Sequence, residues 1–204
     1  WGTTTFQIHA VFEQLKALVV RGEGVWFVSN AKDKLKDDGC YHVDYIQTNN
    51  KYGFLSDLTK NYDIFCYDGH AGNDYLLLID PENCPIQNEC CIGAYQGYPH
   101  CVNEESDIAN TIWNNGNAQA HYKFVYILAC HTGEEASLWR QAFNAECFLG
   151  FNGEIQDFVA NVFDSLFWYY LFDYNVTIQA AATAAAESSV GSMLVLDGNG
   201  YIYL

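Results

Sequence analysis

Two short stretches carry the residue types that could do covalent chemistry. Residues 62–74 read YDIFCYDGHAGND, an apolar run that stops at Gly69-His70-Ala71-Gly72. Residues 123–133 read KFVYILACHTG, a second apolar run with Cys130 at its end. A cysteine nucleophile reacts as its thiolate, and an adjacent imidazole both lowers the thiol pKa and shuttles protons. Nearby glycines let backbone N–H groups reach a developing oxyanion without side-chain obstruction. His70 and Cys130, sixty residues apart in sequence, thus supply the parts of a Cys/His acyl-transfer site. The plainer alternative is a hydrogen-bonded surface histidine and a cysteine that is packed or half of a disulfide.

Such a pair works only if the surrounding elements bring the two run ends together. The runs at 63–67 and 123–130 read as strands, as do VWFVS (25–29), CYHVDYIQ (40–47) and CFLGF (147–151). Ile8, Val11, Phe12, Leu15 and Leu18 recur at helical spacing, with Gly22 placed for a left-handed cap. Residues 30–39 read as a loop or short helix, and Phe54, Leu55 and Leu58 suggest another short helix. Residues 134–143 form a helical pattern, and residues 177–187 an alanine-rich one. The clearest helix runs from Ile155 through Phe158, Val159, Val162, Phe163, Leu166 and Phe167 to Tyr170, with Asn152 as its expected cap. MLVLDGNGYIYL (193–204) closes the chain as two strand-like runs around a turn signal, a C-terminal hairpin. Helices alternating with short apolar strands predict an α/β fold, three layers with a mostly parallel central sheet and helices on both faces. In such sheets ligands gather at the carboxyl ends of the strands, where both His70 and Cys130 fall.

The order of a hydrophobic block ending in Gly-His, then a second block ending in Ala-Cys, resembles the caspase-like (clan CD) cysteine peptidases. LACHTG (128–133) is similar to the Ser-Ala-Cys-Asn-Thr-Gly type of segment in CHAT proteases, and the closing segment is similar to that of gingipain-like domains. The resemblance covers roughly residues 5–204 as a single domain and leaves about 81–121 as an insertion. It implies a cysteine endopeptidase with His70 as general base and Cys130 as nucleophile. Backbone amides near Gly72 and Cys130 would form the oxyanion hole, the substrate would be a polypeptide, and no cofactor is required. Two features depart from the family's pattern. Ala71 stands where the family usually places glycine, and the helix expected near Trp1 precedes any strand. A first core strand is therefore expected to be removed, absent, or supplied by another chain. These departures define the alternative: an inactive caspase-like module, acting as an extracellular structural or binding protein that assembles with copies of itself through an open sheet edge.

Other groups flank the pair. Asp68, Asp74 and Asp80 lie around the histidine strand and are candidates for a pocket that takes a basic substrate side chain, or for Ca2+. The segment lacks the acidic density and distal Glu of an EF-hand loop, so solvated turn residues are the simpler reading. Glu154 and Asp157 are further pocket candidates, although a helix N-terminus favours carboxylates in any case. His131 is expected at the rim, and Cys66 and Cys147 as buried thiols.

The insertion holds all three prolines and four cysteines, Cys84, Cys90, Cys91 and Cys101, which are disulfide candidates of undetermined pairing. Eight cysteines in 204 residues point to an oxidising, extracellular setting. Asn175-Val176-Thr177 is a glycosylation sequon compatible with it, and an opening at Trp1 fits a removed signal or an excerpted piece. The longest apolar run in the C-terminal half, residues 166–172, is far short of a bilayer span. A net charge of −16, with Arg140 the only Lys or Arg after Lys123, argues against nucleic-acid partners.

Overall fold

A computed structural model describes residues 14–22, 30–47, 51–78, 91–94, 108–114 and 121–204. Its central sheet has six strands in the order β2-β1-β3-β7-β8-β9. These are β1 (Leu15–Arg21), β2 (Tyr41–Gln47), β3 (Ile64–Asp68), β7 (Phe124–Leu128), β8 (Cys147–Phe151) and β9 (Leu194–Gly198). All neighbours are parallel except β8 and β9, which run antiparallel. A small antiparallel sheet, β4 (His70–Ala71), β5 (Tyr75–Leu77) and β6 (Cys91–Gly93), follows directly from the end of β3.

Three layers result from the two-residue alternation of the strands. Phe65 and Tyr67 of β3 and Val125 and Ile127 of β7 face α2 (Lys51–Leu58), α3 (Ile108–Asn114) and α4 (Ala136–Ala142). Ile64 and Cys66, with Phe124, Tyr126 and Leu128, face α1 (Ala31–Asp38), α5 (Asp157–Asp173) and α6 (Ile178–Glu187). Because both faces are covered, β3, β7 and β8 are buried along their whole length. That is why they read as unbroken apolar runs.

Several expectations are corrected. The helix expected across Leu15 and Leu18 is strand β1 from Leu15 onward. Ala17, Leu18, Val19 and Val20 are all buried between β2 and β3, and a run with apolar residues on both faces and two β-branched valines suits a central parallel strand. The first core strand is therefore present in the chain. The strand expected at 25–29 lies outside the described residues. The C-terminal hairpin does not form: β9 pairs with β8, and the chain beyond it turns to accept hydrogen bonds at Gly200 and Ile202 from the first amides of α6. Those amides have no partner within their own helix, so the tail supplies one.

Helix α5 starts at Asp157 with Gln156, not Asn152, as its cap, and its buried stripe runs Ala160, Phe163, Asp164, Phe167, Trp168 and Leu171, leaving Phe158 exposed. The insertion is not all loop. Ile92 and Ala94 around β6, and Ile108 and Ile112 of α3, are buried in the same core as β3 and β7. Cys91 is buried, and the other disulfide candidates Cys84, Cys90 and Cys101 lie outside the described residues.

Candidate active site

Strand register brings the ends of the two candidate segments together. In the β3–β7 pair Asp68 lies opposite Leu128, and the Gly69 N–H reaches the Leu128 carbonyl at 3.4 Å. His70, which opens β4, and Cys130, in the turn after β7, each lie two residues past that matched position. Both line one cleft of about 440 Å³ at the carboxyl end of the sheet. Its walls include Asp68, Gly69 and Ala71 from the β3 side and Glu154, Ile155 and Asp157 from the segment between β8 and α5.

His70 is held from below. The buried Tyr67 hydroxyl donates to the His70 carbonyl at 3.0 Å and also contacts the carbonyl of Leu77, the residue opposite His70 in the small sheet. Space beneath this turn is tight: a Cβ on Gly22 would sit 2.8 Å from the hydroxyl, and one on Gly69 would sit 2.6 Å from the ring Cζ. Such approaches require glycine at both positions.

Cys130 is half-buried, and its sulfur lies against the backbone of Ile155. The Ile155 N–H donates to Sγ at 3.4 Å, and Sγ–H reaches the Ile155 carbonyl at 3.8 Å. The residues after Cys130 are tied to the same loop. His131, in a left-handed backbone conformation (φ 61°), donates its N–H to the Gly153 carbonyl at 2.9 Å, and Gly133 donates to Phe151 at 2.9 Å. The His131 ring lies at the cleft rim with Nδ1 2.6 Å from the Glu134 carboxylate, which also accepts the Gly153 N–H at 3.2 Å. These bonds, that of His131 first, hold the Glu134 carboxyl below its usual range.

The other candidates divide. Asp68, Glu154 and Asp157 line the cleft; Asp74 does not, being buried in the turn between β4 and β5 with its carbonyl accepting from Ala94. Asp80 lies outside the described residues. Gly72 is also absent from the cleft wall, and its N–H is spent on the Tyr75 carbonyl at 2.9 Å, so it is not placed to serve an oxyanion. Cys66 and Cys147 are buried thiols, and burial pushes the Cys147 thiol up to about 12. Cys40 is an exposed free thiol, raised by its hydrogen bond to Asp38. Asn175 is exposed in the turn between α5 and α6. Among the described residues no three His, Cys, Asp or Glu side chains converge in a way that could hold a metal ion, and no helix is long and apolar enough to cross a membrane.

Sequence patterns gave no sign of Tyr67, Glu134 or the Ile155 backbone as parts of the site. Each acts through a contact that no local periodicity encodes.

No family model matches the chain, and no curated protein does. Among solved structures it is similar to the Arg specific cysteine proteinase gingipain R, at 12% identity and a TM-score of 0.58, over 93% of this chain and 47% of that one. A secreted C11 cysteine protease from Bacteroides thetaiotaomicron is a further similar structure, at 12% identity and a TM-score of 0.45, over 86% of this chain and 58% of that one. The chain spans about half the length of gingipain R (47%), and over that span it has the caspase-like α/β fold.

Proposed function

We propose that the chain is a secreted cysteine endopeptidase, one caspase-like domain with a Cys-rich insertion, in which His70 and Cys130 form a catalytic dyad. The observation that supports this reading is that His70 and Cys130, each two residues beyond the paired ends of β3 and β7, line one cleft. In the proposed reaction the Cys130 thiolate attacks the scissile carbonyl carbon, and the electron pair moves onto the oxygen. His70 then gives its proton to the leaving amine as the C–N bond breaks, leaving a thioester. Water, deprotonated by His70, hydrolyses the thioester and regenerates the thiol. With the Gly72 amide committed elsewhere, the backbone around Ala71, which lines the cleft, joins the Cys130 amide as the candidate oxyanion donor. An N–H donor needs no glycine, so Ala71 is compatible with turnover.

Asp68, Glu154 and Asp157 give the cleft wall three carboxylates, and among the described residues its lining holds no Lys or Arg. A substrate with a Lys or Arg side chain beside the cleaved bond fits that wall by charge, and the similar gingipain R is an Arg-specific proteinase. The eight cysteines and the exposed sequon at Asn175 support an extracellular location with glycosylation there. The inactive, self-assembling alternative rests on Ala71 after the histidine together with a missing first strand, and β1 occupies that place between β2 and β3.

The test uses Cys40 as an internal control. Brief treatment with iodoacetamide at neutral pH labels the half-buried Cys130 ahead of the exposed Cys40, and His70→Ala abolishes that preference. Fluorogenic peptides ending in Arg or Lys are hydrolysed; Cys130→Ala ends the reaction, and His70→Ala slows it by roughly 10²–10⁴-fold. Faster labelling of Cys40, with hydrolysis absent or indifferent to both variants, refutes the dyad.

A further inference from the structure

The segment between β8 and α5 does more than wall the cleft, because it touches the sulfur itself. Ile155 N–H points at Cys130 Sγ from 3.4 Å, closer than the 3.8 Å contact from sulfur to the Ile155 carbonyl. A hydrogen bond donated to sulfur favours the charged form, whereas the carbonyl favours the protonated thiol. The donor contact is the shorter of the two, and it is the one a thiolate would keep.

What holds that donor in place is Glu134. Its carboxylate accepts the Gly153 N–H, two residues before Ile155, while Nδ1 of His131 grips the same oxygen at 2.6 Å. The return bond from His131 N–H to the Gly153 carbonyl at 2.9 Å closes a ring linking the residue next to the cysteine with the loop that contacts it. An exposed carboxylate accepting two such bonds has no evident role in the core, as its side chain is 40% exposed.

We propose that Glu134 is a positioning residue for the nucleophile: by fixing Gly153 it holds the Ile155 amide on Cys130 Sγ and so promotes formation of the thiolate. This rests on the assignment of Cys130 as nucleophile, although the contact itself is independent of turnover. The titratable groups around the sulfur are His70 and Asp68 from the β3 side, His131 from its own strand end, and Glu154 and Asp157 from the facing loop and α5. Of these only His131 is bonded to Glu134, and Glu134→Ala leaves its ring without that partner while Glu134→Gln keeps an oxygen for it.

Two substitutions separate the brace from the charge. Glu134→Gln removes the negative charge but keeps an oxygen to accept the Gly153 N–H; Glu134→Ala removes both. Loss of a nearby negative charge by itself eases thiol ionisation, so charge and brace act with opposite sign. Ionisation of Cys130 is read from thiolate absorbance near 240 nm, as the difference between each protein and its Cys130→Ala counterpart across pH. The midpoint in Glu134→Gln stays at or below the parent value, and in Glu134→Ala it rises by about one pH unit relative to Glu134→Gln. Iodoacetamide labelling of Glu134→Ala is then roughly tenfold slower below the midpoint and undiminished well above it. Coincident midpoints for the two variants, or a lower one in Glu134→Ala, overturn the proposal. If the midpoints separate while no peptide is cleaved, the brace stands and the peptidase assignment falls.

Discussion

Replacing Tyr67 by Phe removes one oxygen from beneath the His70 turn and leaves the ring to fill its space. The hydroxyl is the donor to two carbonyls, those of His70 and Leu77, which face each other across β4 and β5. Tyr67 is 1% exposed, so water does not readily replace the lost donor. Each deprived carbonyl costs about 1 kcal/mol, the low end for a buried acceptor because a carbonyl retains other acceptor geometry, giving about 2 kcal/mol in all. With a urea m-value of roughly 2 kcal/mol/M, the unfolding midpoint falls by about 1 M. The loss is local, since the hydroxyl joins the small sheet to the end of β3. Amide exchange at residues 70–77 therefore rises before that of β7 or β8, and hydrolysis, where present, declines with His70 less firmly held. A midpoint within about 0.2 M of the parent, with unchanged exchange at 70–77, would show that the Tyr67 bonds do not support the His70 turn.

Asp164 is fully buried and accepts from the Asn30 N–H (2.7 Å), the Asn30 amide group (2.9 Å), the Tyr126 hydroxyl (3.1 Å) and the Trp168 indole (2.8 Å). Asp164→Ala strands these donors and lowers stability by about 4 kcal/mol; a loss under about 1 kcal/mol in urea unfolding would mean the network is dispensable. Alkaline pH destabilises the fold through its buried thiols. Cys147 is neutral in both states below about 9, but between about 9 and about 12 the unfolded chain loses that proton and the folded chain does not, so stability falls as pH rises across this window. The slope is about 1.4 kcal/mol per pH unit for one thiol, and Cys147→Ala flattens it; equal slopes for parent and variant between pH 9 and 11 would refute the assignment.

The parts of the fold legible in the sequence are those where burial is complete and local. FVYIL and CFLGF are covered on both faces, so their composition alone marks them as β7 and β8. In α5 the helical period is legible but its phase is not: Phe158 is 76% exposed, while the buried stripe includes Asp164. A carboxylate enters a core only when donors from elsewhere meet it, and Asn30 and Tyr126 are distant in sequence. For β1 the three-residue spacing of Leu15 and Leu18 imitates a helix, and only pairing with β2 and β3 shows that the run is a strand. The site divides in the same way. His70 and Cys130 are visible because strand ends are marked by glycines, whereas the diversion of the Gly72 amide to Tyr75 and the contact of Ile155 with Cys130 depend on turns whose paths the sequence pattern leaves open.

That His70 and Cys130 line one cleft depends on the register of β3 and β7, and register here is pinned from both faces. A slip of one residue between β3 and β7 would carry His70 about 3.3 Å along the strand relative to Cys130 and turn every side chain of the slipped strand to the opposite layer. On one face Phe65 packs against Phe143 with centroids 4.6 Å apart, and on the other Tyr126 packs against Phe167 at 5.4 Å and bonds to Asp164. Such a slip would have to break both sets of contacts and bury their partners against the wrong helices. The aromatic layers therefore set where β3 and β7 end, and with those ends the places from which His70 and Cys130 reach the cleft.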